Sequence, residues 1–163
     1  MCIRDSLYTA AERARRDRSG WTIVQGVLAP LQFLAFLVSL VLVLRYLASG
    51  EGLQAATVSV LVKTGLLYAI MLTGAIWEKA VFGQYLFARP FFWEDVVSMG
   101  VIALHTAYLL AFLANGLPAR AQMLLALTAY ASYVLNAAQF LLKLRAARLQ
   151  GAHAALGAAE PAR

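Results

Sequence analysis

The sequence predicts an all-α membrane protein, a four-transmembrane-helix up-down-up-down bundle with both termini cytoplasmic, and three observations carry that prediction. Of its 163 residues 62% are hydrophobic and 13% charged, and a mean hydropathy of +0.71 lies outside the balance of soluble domains. Stretches free of Asp, Glu, Lys and Arg run from Ser19 to Leu44, Thr64 to Trp77, Val96 to Ala119 and Ala121 to Leu142. About 20 apolar residues cross the hydrocarbon core, so these runs give four spans once the second is carried back to Gly52 across Lys63. The basic residues are also uneven: eleven lie before the first run, between the second and third or after the fourth, against Arg45 and Arg120 on the other side. An excess of Lys and Arg marks the cytoplasmic face.

Residues 1–20 form a basic cytoplasmic segment with Arg13, Arg15, Arg16 and Arg18. The run after it is too long for a signal-peptide core of roughly 7 to 15 residues, so it is read as a retained first helix over about 21–48. Gln25, Gln32 and Ser39 are spaced by seven and share one of its faces, drifting by only about 40°, which predicts that they point into the bundle. Pro30 inside this helix predicts a kink. The turn "SGEG" at 49–52 leads to a second helix over about 53–80, with Lys63 near mid-span. A lysine so deep cannot snorkel fully to the interface and needs an acceptor, backbone carbonyls or a water path.

The third helix, about 90–114, opens on Pro90, which suits a first turn. Glu94 and His105 are about 20° apart in phase and Asp95 about 80° away, so one face runs Glu94, Ser98, Val101, His105. The turn "NGLP" at 115–118 leads to a fourth helix, about 119–147. There Ser132, Asn136, Gln139 and Lys143 fall within an arc of about 60°, flanked by Tyr130 and Tyr133. Facing lipid, that stripe would be costly; it should face protein, as interhelical glue or as a ligand-lining wall. The four spans make one membrane domain over 21–147, and the Ala- and Gly-rich residues 148–163 are expected to form a flexible tail.

Several function classes fall away. The single cysteine, Cys2, builds no disulfide framework or multi-cysteine metal site. The net charge of +6 comes from basic residues at helix ends, where they set topology, and does not indicate nucleic acid. Bis-histidine haem ligation within one chain needs two membrane histidines, and the spans carry only His105. A proton-coupled small transporter would need a buried acid in the first helix and an inverted repeat, and neither is present in the sequence.

The acids concentrate in "WEKAVFGQYLFARPFFWED", Trp77 to Asp95, between the second and third spans. Glu94 and Asp95 fit the N-terminus of the third helix, where the macrodipole favours negative charge. Glu78 does not, because it stands near the C-terminus of the second helix, beside a Lys79 that complements that dipole. Aromatic residues mark the stretch as membrane interface. Partial desolvation there favours a protonated carboxyl, the form a general acid needs, which suits adding or removing water on an apolar substrate.

The strings "WTIVQGVLAPLQFLAFLVSLVLVLRYLASGEG", "IWEKAVFGQYLFARPFFWEDVVSM", "ALHTAYL" and "AYASYVLNAAQFLLKLRAARL" resemble the 3-vinyl (bacterio)chlorophyllide hydratase family, also known as 2-vinyl bacteriochlorophyllide hydratase, from about Leu7 to Leu149. "MCIRDS", residues 1–6, departs from the family's start and is set aside as a candidate artefact. The resemblance implies a lyase of bacteriochlorophyll synthesis in a multi-pass inner membrane, cytoplasmic or intracytoplasmic photosynthetic. It would add water across the 3-vinyl group of a chlorophyllide-type tetrapyrrole to give the 3-(1-hydroxyethyl) group. It implies no cofactor of the protein's own, since magnesium arrives in the substrate. The partners expected are that tetrapyrrole, the bilayer, and further copies or pigment-synthesis proteins.

On the residues, Glu78 is the first choice for the acid and Glu94 for placing the attacking water, with His105 as the other candidate for that task or as an axial ligand to the substrate's magnesium. Asp95 is expected to cap the third helix and border the substrate. Gln25, Gln32, Tyr133, Asn136 and Gln139 are candidate lining residues, and Lys79, Arg89, Lys143 or Arg145 would meet the substrate's propionate. The alternative of another class is a non-catalytic pigment-binding or assembly protein of the photosynthetic membrane.

Overall fold

The computed structural model describes residues 7–158, with side chains through Leu149. The readings that concern Cys2, residues 1–6 and the last five positions of the tail lie outside the described residues. Among the described residues there are five α-helices: α1 (Ala10–Arg18), α2 (Gly20–Ser49), α3 (Leu53–Phe82), α4 (Phe92–Leu113) and α5 (Ala119–Ala158), with a 3₁₀ turn over Arg89–Phe91 before α4. The last four contain segments long and apolar enough to cross a membrane.

Helix α1 stands where only a basic segment was expected. Its start is a capping box: Glu12 N donates to Thr9 Oγ1 at 3.2 Å and Thr9 N donates to Glu12 Oε2 at 2.7 Å, satisfying two backbone donors that a helix end otherwise leaves orphaned. Arg15, Arg16 and Arg18 sit in its last turn, where the dipole favours cations. Tyr8, just before it, is buried among Val81, Phe82 and Phe91. Burial pushes its phenol pKa above the ordinary value, against the opposing pull of Arg16, whose guanidinium lies 4.8 Å from the ring centroid. Arg15 Nε donates to Val81 O at 2.7 Å and ties α1 to the end of α3.

Both α2 and α3 end on a left-handed glycine. Gly50 (φ 76°) donates to Tyr46 O, and Gly83 (φ 86°) donates to Lys79 O. A side chain at either position would clash with its own backbone, which is why glycine closes these helices. Pro30 lies inside α2. Helix α5 continues to Ala158, past the boundary at 147 drawn from the sequence.

Polar contacts fix how the helices meet. Trp77 Nε1 donates to Thr22 Oγ1, Gln25 Nε2 to Thr73 Oγ1, and Ser39 and Ser59 share a hydroxyl bond of 2.7 Å. Residue numbers thus fall along α3 as they rise along α2. The same holds for α4 and α5, through Asn136 to Ser98 and Gln122 to the Tyr108 carbonyl. Helix α2 packs closely on α3 and α4 on α5, while α3 meets α4 thinly. The main core gathers Phe36, Val60, Leu67, Val101, Met123 and Tyr130. A second cluster around Tyr8, Val81, Phe91 and Trp77 closes the end that carries α1.

Candidate active site

Three buried acids lie at the α1 end of the bundle, and the fold assigns them to different partners. Glu78, one turn before the end of α3, and Asp95, in the first turn of α4, bring their carboxyl groups into each other's electrostatic reach. Two carboxylates offer only acceptors, so a hydrogen bond between them would require a proton on one. The connection between the helices folds back over the pair: Ala88 N donates to Glu78 Oε2 at 3.1 Å and Phe87 N donates to Asp95 Oδ2 at 2.7 Å. Phe87 achieves this in the left-handed region, at φ 59°, a conformation unfavourable for a non-glycine residue.

Glu94 belongs elsewhere. Its Oε2 accepts from Lys143 Nζ at 2.8 Å, and the same ammonium donates to the carbonyl of Pro90. Glu94 and Lys143 are therefore joined in an ion pair. Asp95 also differs from expectation: α4 begins after Phe91 without a side-chain cap, and the Asp95 carboxylate reaches the connecting loop.

An apolar groove of about 420 Å³ lies where α3 and α4 pack thinly. Tyr68, Met71, Leu72 and Ala75 of α3, Leu86 of the connection, and Met99 and Ile102 of α4 line it. Tyr68 and Thr106 share a hydroxyl bond of 2.7 Å that ties the two helices beside the groove. Ala75 precedes Glu78 by three positions and Met99 follows Asp95 by four. Those spacings put the carboxyl pair about one helical turn beyond the groove, on the same faces of the same helices.

The other sequence candidates scatter. Lys79 Nζ donates to Gly83 O at the exposed end of α3 and lies 5.3 Å from the Tyr85 ring centroid. Gln25 is committed to Thr73. Gln32, Tyr133 and Asn136 are buried and Gln139 half-buried within the bundle, as the polar stripes of α2 and α5 predicted. Lys63 is fully buried but paired with no carbonyl: its ammonium stands over the Tyr133 ring, 3.6 Å from the centroid. His105 is fully buried away from the groove, with Nδ1 2.8 Å from Val101 O. A carbonyl only accepts, so Nδ1 carries the hydrogen and Nε2 is left as an acceptor. Sequence reasoning missed the amides of Phe87 and Ala88, because no side-chain pattern reports where a loop's backbone will point.

Four helices of membrane length, with two buried carboxyl groups at the end of an apolar groove, describe a multi-pass membrane protein. A family model for 2-vinyl bacteriochlorophyllide hydratase matches residues 8–146, and the chain belongs to that family, as the resemblance implied. It is 70% identical over 149 residues to the 2-vinyl bacteriochlorophyllide hydratase of Rhodobacter capsulatus, covering 91% of this chain and 86% of the relative. To the protein of that name from Cereibacter sphaeroides it is 70% identical over 143 residues, covering 88% of this chain and 89% of the relative. No solved structure matches it significantly.

Proposed function

We propose that this chain is a hydro-lyase that adds water to the 3-vinyl group of a chlorophyllide-type macrocycle, giving the 3-(1-hydroxyethyl) derivative in bacteriochlorophyll synthesis. The names of relatives that match nine-tenths of the chain support the reaction. The observation that carries it to residues is the Glu78–Asp95 carboxyl pair at the end of the α3–α4 groove. In this reading the apolar ring lies along Met71, Leu72, Ala75, Met99 and Ile102, with its vinyl group towards the pair.

The protonated member of the pair gives its proton to the terminal vinyl carbon. The π electrons form that new C–H bond and leave a cation on the inner carbon, delocalised into the macrocycle. Water bonds to the inner carbon, and the proton it sheds returns to the carboxyl pair, so the pair is regenerated and one water is consumed. Asp95, beside Glu78, replaces Glu94 as the partner that receives or orients the water, because Glu94 is held by Lys143. Lys79, Arg89 and Arg145 are exposed and free of acidic partners among the described residues, and are the cations assigned to the propionate. The magnesium is part of the substrate, and the chain is assigned no cofactor of its own.

The proposed setting is the inner membrane, with the helices up-down-up-down and both termini cytoplasmic. The bias of Lys and Arg and the opposed numbering of contacting helices support that arrangement. The test is expression in a host lacking the pathway, followed by mass analysis of added vinyl chlorophyllide. Gain of one water is expected. Pigment recovered unchanged in a stable complex would replace the hydratase with a carrier.

A further inference from the structure

A second polar region lies in the bundle core, outside the carboxyl pair and the groove. Gln32 Oε1, Lys63 Nζ, His105 Nε2, Asn136 Oδ1 and Gln139 Oε1 are buried with no hydrogen-bond partner among the described residues. They come from all four long helices, and the contacts arrange them in a column. On α5, Lys143, Gln139 and Asn136 share one face, and Tyr133 and Tyr130 continue from it about a turn apart each, along a line that winds round about half of the helix.

Lys143 meets Glu94, Asn136 meets Ser98 and the Tyr130 ring lies 5.9 Å from that of His105, so α4 follows the same column from its first turn to mid-span. Lys63 enters from α3 over Tyr133. Phe36 packs on Tyr133 and Ser39 bonds Tyr130 from α2, which sets Gln32 level with Asn136.

The chemistry of these atoms selects the occupant. Four are acceptors and one is an ammonium whose attraction to a tyrosine face leaves its N–H donors unused. Acceptors cannot satisfy one another, and leaving them unpaired in a membrane interior is costly. The ligand must both donate and accept, be small, and enter from an aqueous end. The column has such an end, for the Lys143 side chain is 25% exposed where it meets a Glu94 that is 8% exposed.

We propose that the bundle core binds a column of water molecules, reaching from the Glu94–Lys143 pair to Lys63 and His105 at mid-span. Its mouth adjoins Asp95, so the column also stores the co-substrate of the proposed hydration, a link that rests on that reading. The experiment below reads water alone and fails independently of it.

X-ray hydroxyl-radical footprinting of the full chain in lipid nanodiscs generates the label from water in place, and mass spectrometry locates it. After correction for intrinsic reactivity, Tyr133 and His105 should be labelled on the order of fivefold faster than lipid-facing Phe33, as bound water beside a buried residue requires. Equal or slower labelling overturns the proposal. Gln139→Leu with Asn136→Leu, checked for helicity and thermal unfolding, should remove most of that excess. A folded double variant that labels as before also overturns it. If the double variant does not fold, the wild-type comparison still decides.

Discussion

Glu94 and Asp95 are consecutive in the chain and belong to two regions of opposite character. On the α4–α5 side, Glu94 is held by Lys143, Ser98 by Asn136 and the Tyr108 carbonyl by Gln122, and the helices pack closely. On the α3–α4 side the packing is thin, Tyr68–Thr106 is a cross-link beside an apolar groove, and Asp95 faces a second carboxyl group. A carboxylate neutralised by an ammonium is committed to holding helices together. A carboxyl group set against another beside open apolar space has no such commitment, and in the proposed reaction it gives up a proton. The two residues are similarly buried, 6% and 3% exposed, so it is their partners and not their depth that distinguish them.

The sharpest way to break this contrast is to neutralise each acid in turn. Glu78→Gln and Asp95→Asn should each lower turnover by about 10²-fold or more, the scale of a lost general acid or base, with the fold retained. Mass-resolved product formation in membranes checks this, and normal turnover in Glu78→Gln would remove the pair from the mechanism. Lys143→Met strands a buried Glu94; breaking a buried pair costs about 3 to 5 kcal/mol, reduced to about 2 kcal/mol by the partial exposure of this lysine. Thermal unfolding in detergent should show that loss.

Tyr68→Phe removes the α3–α4 hydroxyl bond at a cost of about 1 kcal/mol. Unfolding midpoints that place its loss above that of Lys143→Met would reverse the ranking of the two flanks. The smallest effect is a gain: Phe87→Gly relieves a left-handed backbone, and the added freedom of the unfolded chain offsets part of it, leaving about 0.5 kcal/mol. A lower unfolding midpoint for that variant would show that the Phe87 side chain contributes more than its backbone costs.

The four spans were legible because hydropathy depends on local composition alone, and the inward faces of α2 and α5 because 3.6-residue periodicity does too. The same periodicity grouped Glu94 with His105 correctly on one face of α4. It carried no information on which neighbour that face would meet, and the neighbour was Lys143. Helix α1 went unread although "TAAE" at Thr9–Glu12 is a capping-box signature, because the charge run around it dominated the reading. The pairing of Glu78 with Asp95 was not legible, since Gly83 and Pro90 mark the ends of the loop but its path between them passes through a left-handed phenylalanine that no residue-type signal announces. Family membership was legible from long strings covering nearly the whole chain.

The α3–α4 groove lies on the flank of the bundle, where Leu72 is 69% exposed, and not at its aqueous ends. A ligand entering there diffuses in two dimensions. For the proposed reaction, occupancy is therefore governed by the mole fraction of pigment in the lipid, and enlarging the membrane at fixed pigment slows the enzyme while enlarging the water volume does not.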